Sequence, residues 1–158
     1  MMKTIAIGSD HIGLALKTFL IEKLEKQGHN LLDLGAVSQE RTDYPIYAEK
    51  VAYAVKRNVA DVGILICGTG VGISIAANKI SGIRCALCSD ELTALMCREH
   101  NNCNIIAFGA NIISSEKAIS LATLWLNTPY DGGRHQKRLD MMEMLEKTGS
   151  YCGLVTER

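Results

Sequence analysis

Apolar positions in this chain follow two alternating periods. Short, nearly continuous apolar runs at Thr4–Gly8, Asn30–Leu34, Val62–Ile66, Arg84–Cys88 and Asn104–Phe108 predict buried strands. Between them lie stretches with apolar residues at helical spacing. Ile12–Lys26 carries Leu14, Leu16, Phe19, Leu20 and Leu24, with Gly28 past its end as a stop. Tyr47–Arg57 repeats Val51, Ala52, Ala54 and Val55, and Ser74–Lys79 forms a short third helix. Glu91–Glu99, Ser114–Leu126 (with Glu116 near its acidic start) and Gly133–Lys147 complete the set. Strands that alternate with helices predict a parallel sheet covered on both faces. The expected class is α/β, a three-layer α/β/α sandwich around a Rossmann-like five-stranded sheet.

No low-complexity linker or internal repeat interrupts this order, and Pro45 and Pro129 fall in expected loops. One domain is expected over residues 1–148, with a C-terminal tail over 149–158. A chain of 158 residues with 47% hydrophobic content can bury a sizeable core. The formal net charge of +0 gives no electrostatic case for nucleic acid or for an anionic membrane surface. The apolar start of the chain is too short for a secretory signal, and no stretch approaches the ~20 apolar residues of a membrane span. A cytoplasmic protein is expected. Its six cysteines, Cys67, Cys85, Cys88, Cys97, Cys103 and Cys152, are then expected as thiols. Cys85 and Cys88 have CxxC spacing, but they sit in a predicted strand, and no second pair completes a zinc site. They read as core cysteines.

In open parallel sheets, ligands collect at the carboxyl ends of the strands. That rule gathers Ser9-Asp10-His11, Cys67–Gly72, Ser89-Asp90 and Gly109-Ala110-Asn111 on one edge, with Asp43-Tyr44 able to join from the loop before the second helix. The sharpest feature there is Cys67-Gly68-Thr69-Gly70-Val71-Gly72, directly behind an apolar strand. Gly68, Gly70 and Gly72 let backbone turn tightly and approach a ligand. A glycine turn feeding a helix start favours negative charge, on a ligand or on the Cys67 sulfur. The loop lacks both the P-loop lysine and the GxGxxG spacing, which weakens a nucleotide-binding reading. The plainer alternative is a tight turn beside an inert thiol.

Other candidates carry plain readings too. Asp10 could cap the first helix, and His11 could be a surface residue. His100 at a helix C-terminus could be a dipole contact, and Asn101-Asn102 a turn. The imidazole and the amides would equally suit acid catalysis and oxyanion stabilisation. Arg134 and Arg138 are four apart and share a helix face. With Asp140 nearby they could form local ion pairs, or the two guanidiniums could clamp a phosphate.

Taken together, these segments resemble ribose-5-phosphate isomerase type B and its relatives, the galactose-6-phosphate and allose-6-phosphate isomerases. The stretches that carry the resemblance are Gly8-Ser9-Asp10-His11, Arg41-Thr42-Asp43-Tyr44-Pro45 and Ile66-Cys67-Gly68-Thr69-Gly70-Val71-Gly72 running on to Lys79. Gly82-Ile83-Arg84, Arg98-Glu99-His100-Asn101 and Gly132-Gly133-Arg134-His135 continue it, so that it spans Lys3 to Glu146. The resemblance implies interconversion of an aldose phosphate and its ketose through a cis-enediolate, with no cofactor and no metal. By resemblance, Cys67 is the base that moves the proton between C2 and C1. Some members use a carboxylate where this chain has Ile73, which cannot take a proton.

Thr69 would hold or shuttle a hydroxyl proton. Amides of Gly68, Gly70, Val71 and Gly72, with Asn101, would hold the enediolate. His100 would assist ring opening, with Asp10 and Asp43 orienting hydroxyls or sharing proton transfer, and Tyr44 would contact the substrate. His11, Arg134 and Arg138 would bind phosphate, the arginines coming from a partner subunit in a homodimer or homotetramer with shared sites. Ribose-type members often carry arginine where this chain has Asn111. That departure keeps a hexose 6-phosphate substrate open beside ribose 5-phosphate. A non-catalytic nucleotide-binding module is the expectation from a different class.

Overall fold

The computed structural model describes residues 1–150. Five parallel strands form one sheet in the order β2-β1-β3-β5-β4. They are β1 (Thr4–Ser9), β2 (Asn30–Asp33), β3 (Val62–Cys67), β4 (Cys85–Leu87) and β5 (Ile105–Gly109). The helices are α1 (Leu14–Lys26), α2 (Tyr44–Lys56), α3 (Val71–Ala77), α4 (Glu91–Glu99), α5 (Ser115–Asn127) and α6 (Arg134–Thr148). The expected strand–helix alternation is therefore present throughout. None of these helices is long and apolar enough to cross a membrane.

Side-chain alternation along the strands divides the interior into two layers. Ile5, Ile7, Ile64, Ile66, Ile106 and Phe108 face α1, α4 and α5, whose Leu16, Leu20, Ala94, Cys97, Leu121 and Trp125 complete one core. Ala6, Leu65, Cys67, Ile105 and Ala107 face the other way, onto Ala48, Val51 and Ala52 of α2 and Ile73 and Ala77 of α3. The apolar runs are continuous because β1, β3 and β5 are covered on both faces. This alternation also disposes of the CxxC pair. Cys85 packs on the α2–α3 side and Cys88 on the opposite side, so the two thiols cannot meet through the sheet.

Two helices start three residues earlier than the sequence reading places them. α2 begins at Tyr44 rather than Tyr47, which places Pro45 in its first turn and not in a loop. Proline is tolerated there because the first helical N–H groups have no partner within the helix. α3 begins at Val71 rather than Ser74, since Gly70 turns the chain in a left-handed conformation (φ 77°) and the helix starts at once. Gly72 therefore lies inside α3 and not in the loop before it. The tail expected from residue 149 falls, from residue 151 onward, outside the described residues.

A lysine is built into the interior. Lys17 of α1 is 2% exposed, and its Nζ donates to Asp33 Oδ1 (2.7 Å), Asp33 Oδ2 (2.6 Å) and the Ala36 carbonyl (2.9 Å). Those bonds pin the chain leaving β2, which runs on toward Arg41–Tyr44. Lys17→Met would strand the Ala36 carbonyl and free the carboxylate, and should cost about 2–3 kcal/mol in urea unfolding. Asp33→Asn should cost less, because Asp33 is 42% exposed and an amide can keep part of the contact.

Candidate active site

The order β2-β1-β3 places a switch point between β1 and β3. Connections from their carboxyl ends leave in different directions, which opens a crevice there. β1 delivers Asp10 and His11 to it, and β3 delivers Cys67 and the glycine loop. The neighbouring β5 delivers Asn111, because Cys67 is in register with Gly109.

Asp10 is nearly buried, at 5% exposure. Its Oδ1 accepts from the Ile12 and Gly13 amides, both at 3.0 Å, so the carboxylate holds the turn into α1. The capping role is real, and it fixes the carboxylate at the edge of the crevice. His11 Nδ1 accepts from the Thr42 amide at 3.2 Å. This bond ties the loop bearing Asp43 and Tyr44 to the loop after β1, and it leaves the neutral ring's proton on Nε2. Asp43 and Tyr44 are exposed. Tyr44 stands over Gly72: a Cβ on residue 72 would lie 2.6 Å from the tyrosine ring.

Cys67, the last residue of β3, is 4% exposed and more covered than a residue at the mouth of a loop would suggest. The cause is the early start of α3, whose Ile73 and Ala77 share its core cluster. Its Sγ nevertheless receives the Gly70 amide at 3.2 Å. A donor N–H on sulfur stabilises negative charge there. Gly70 cannot be replaced cheaply, because a Cβ would meet Leu87 Cδ1 at 2.5 Å and the Phe108 carbonyl carbon at 2.9 Å. Thr69 is exposed, and its Oγ1 accepts from the Val71 amide at 3.3 Å. Asn111 donates its own amide to the Gly68 carbonyl (2.9 Å), and its side-chain Nδ2 faces Gly68. Asp90, which sequence position also put on this edge, caps α4 by accepting from the Thr93 amide at 2.9 Å.

The structure thus brings together Asp10, His11, Asp43, Tyr44, Cys67, Gly68, Thr69, Gly70, Val71, Gly72 and Asn111. It separates them from His100, Asn101, Arg134 and Arg138. His100 follows α4 and precedes β5, so it lies at the amino edge of the sheet, opposite Cys67. Arg84, just before β4, donates through Nε to the Asn101 carbonyl at 3.0 Å and marks the same edge. The N-terminus of α6 is held there too, since the Asp131 amide donates to the Glu99 carbonyl (3.0 Å) and His135 stacks on His100. Arg134 and Arg138 are exposed, and among the described residues neither has a carboxylate partner. Asp140 instead accepts from Gln136 at 2.8 Å, so the local ion pairs allowed by the sequence do not form. A cleft of about 740 Å³ is also on this edge, between Arg84, Asn101, Gln136 and Glu146. Cys67 is not one of its walls.

Sequence reasoning assigned no role to His135 or Asp131. With His100 they place one ligand atom each within 4.8 Å of one another. The two imidazole planes are only 8° apart, so their in-plane lone pairs run side by side and do not converge on an ion. Arg134 Nε already donates to His135 Nε2 at 3.3 Å. The cluster reads as a stack with a hydrogen bond. The available signal was spacing: His135 and the buried Leu139 are four apart on α6, on its inward face.

The chain is similar to known isomerases over nearly its whole length. Ribose-5-phosphate isomerase B of Escherichia coli is 48% identical over 146 residues, covering 92% of this chain and 98% of that one. The structure of Clostridium thermocellum ribose-5-phosphate isomerase B superposes with a TM-score of 0.91 at 45% identity, covering 93% and 99% of the two chains. That of the Mycoplasma genitalium ribose-5-phosphate isomerase B, with bound ribulose 5-phosphate, gives 0.88 at 41% identity, covering 92% and 97%. None of these relatives supports the nucleotide-binding module. The profile described as Ribose/Galactose Isomerase matches residues 5–142, and with that match across the sheet, the glycine loop and the start of α6, the chain belongs to this family.

Proposed function

We propose that this chain is an aldose–ketose isomerase that interconverts ribose 5-phosphate and ribulose 5-phosphate in the cytoplasm, as part of pentose phosphate metabolism, with Cys67 as general base. The observation that carries this reading is the Gly70 amide on Cys67 Sγ at the head of the loop, in a chain that aligns with nearly the whole of the E. coli isomerase.

The chemistry follows from the groups present. Ring opening moves the proton of the anomeric hydroxyl to the ring oxygen as the C1–O4 bond breaks and C1 becomes a carbonyl; His100 is the acid–base group for this step. The Cys67 thiolate then removes the C2 proton. Electrons flow to the carbonyl oxygen, and the cis-enediolate takes its charge beside the loop amides and Asn101. Return of the proton at C1 gives the ketose. Thr69 exchanges a hydroxyl proton between O1 and O2. Asp10, Asp43 and Tyr44 line the sugar, and His11, Arg134 and Arg138 bind the phosphate.

This assignment uses residues from both edges of the sheet, so a second copy of the chain supplies His100, Asn101, Arg134 and Arg138 to the Cys67 edge of the first. A two-fold pair then forms two equivalent sites. The surface beside the glycine loop suits such a partner. Val71 (47% exposed), Ile75 (54%), Leu87 (39%), Leu92 (59%) and Met96 (41%) present apolar side chains from α3, the edge strand β4 and α4. A dimer, or a tetramer built from dimers, is the proposed assembly.

The deciding assay compares turnover of ribose 5-phosphate, allose 6-phosphate and galactose 6-phosphate side by side. Ribose 5-phosphate is expected to give the highest kcat/KM. A hexose 6-phosphate in first place would move the assignment to the alternative that Asn111 favours, since an uncharged amide stands where ribose-type relatives often place arginine. No turnover of any of the three would end the isomerase reading.

A further inference from the structure

The inner face of α6 carries a side chain that the mechanism above does not use. His135 is 6% exposed, although Arg134 and Arg138 on either side of it are exposed. Its ring lies parallel to His100, with centroids 4.1 Å apart and planes 8° apart. Among the described residues, no hydrogen bond is made by either ring nitrogen of His100, so the stack is the contact that sets the plane of that ring. His135 is itself well fixed. Its amide donates to the Gly132 carbonyl at 3.0 Å, Leu139 anchors the next turn at 7% exposure, and Nε2 accepts from Arg134 Nε at 3.3 Å.

We propose that His135 is a positioning residue for the isomerase: its ring holds the plane of the ring-opening imidazole of His100, and its Nε2 holds the guanidinium of Arg134. One side chain then couples the group that opens the sugar to a group that grips its phosphate. The proposal rests on the reading of His100 as the ring-opening group. Orientation matters because an imidazole transfers protons only in its own plane and within hydrogen-bond reach. A misplacement of about 1 Å costs on the order of 100-fold in rate.

The surroundings suit a neutral plate. Burial, followed by the charges of His100, Arg134 and Arg138, lowers the proton affinity of His135, and Asp131 opposes this weakly. A neutral ring can lie against His100 while His100 carries a proton, where a second imidazolium would repel it.

The test separates ring opening from proton transfer. The 5-hydroxyl of ribulose 5-phosphate is esterified, so this ketose cannot close a five-membered ring and reaches the enzyme open. Exchange of its C1 proton with D2O, followed by NMR, therefore reports the Cys67 step alone. Conversion of ribose 5-phosphate reports both steps. His135→Ala is expected to lower kcat on ribose 5-phosphate by about 10- to 100-fold, to raise KM, and to leave exchange into saturating ribulose 5-phosphate unchanged. His135→Phe keeps a flat ring without a lone pair, so it should recover kcat while KM stays high. His100→Ala serves as the reference and should show the same split between conversion and exchange.

Equal losses of conversion and exchange in the His135 variants, beside a clear split in His100→Ala, would overturn the positioning role and leave His100 in place. Equal losses in His100→Ala itself would remove the ring-opening assignment and this proposal with it. Should His135→Ala fail to fold, a His135→Phe enzyme with low kcat on ribose 5-phosphate would be enough to reject the proposal.

Discussion

Cys67→Ala is expected to lower turnover of ribose 5-phosphate by about 10³-fold or more, at the upper end of what a positioned general base contributes. The fold should survive. The change removes one buried sulfur from a cluster of Ala6, Leu65, Ile73 and Ala77, which corresponds to a loss of about 1 kcal/mol and a small drop in Tm. Deuterium exchange at C1 of ribulose 5-phosphate should vanish with turnover, because both need the same proton acceptor. Cys67→Ser should be nearly as poor, since a hydroxyl in that position holds its proton far more tightly than a thiol. Turnover and exchange within tenfold of the parent enzyme in Cys67→Ala, with melting unchanged, would mean that another group takes the C2 proton.

Activity should reappear when two inactive variants are combined. In the proposed assembly, Cys67 and Thr69 of one copy face His100, Asn101, Arg134 and Arg138 of the other. A mixed dimer of Cys67→Ala and His100→Ala chains would therefore hold one site with both defects and one site with neither. Random reassociation of equal amounts makes half of the dimers mixed, so the mixture should regain about a quarter of the parent activity. Separation of differently tagged chains should place that activity in the mixed fraction. A mixture no more active than its components would show that each chain completes its own site, and the placement of His100 opposite Cys67 would then need another explanation.

The buried Cys88, Cys97 and Cys103 show how far residue spacing can mislead. The CxxC spacing pairs Cys85 with Cys88 on paper, yet Cys88 Sγ lies 3.9 Å from Cys97 Sγ on α4, with Cys97 also next to Cys103. The contact with Cys103, followed by burial, pushes the Cys97 thiol up to about 12, so Cys97 stays protonated and serves as uncharged packing. Residues three apart along an extended chain lie on opposite faces, and only the helix packed above can offer the near neighbour.

Strand and helix positions were legible because period and punctuation are local properties. Ile5 and Ile7 must face the same side of a strand whatever packs on them, and Gly28 stops α1 without reference to any distant residue. The ends were less legible. Pro45 and Gly72 look like loop residues in isolation, whereas one occupies the permitted first turn of α2 and the other makes room for Tyr44. The crevice at Asp10, Cys67 and Asn111 could be anticipated from topology, because parallel strands deliver their carboxyl ends to one edge.

The sequence by itself determined the class of chain, the residues available for proton transfer and phosphate binding, and the edge that would carry Cys67. It could not determine that His100 and the two arginines stand on the opposite edge, or that His135 lies flat against His100. Those facts depend on where α4 and α6 come to rest after long-range packing, and contacts between residues distant in the chain leave no periodic trace in it. The tertiary structure decided them through a single register: β5 starts where β3 starts, so everything just before it lies a full strand length from the thiol at the end of β3.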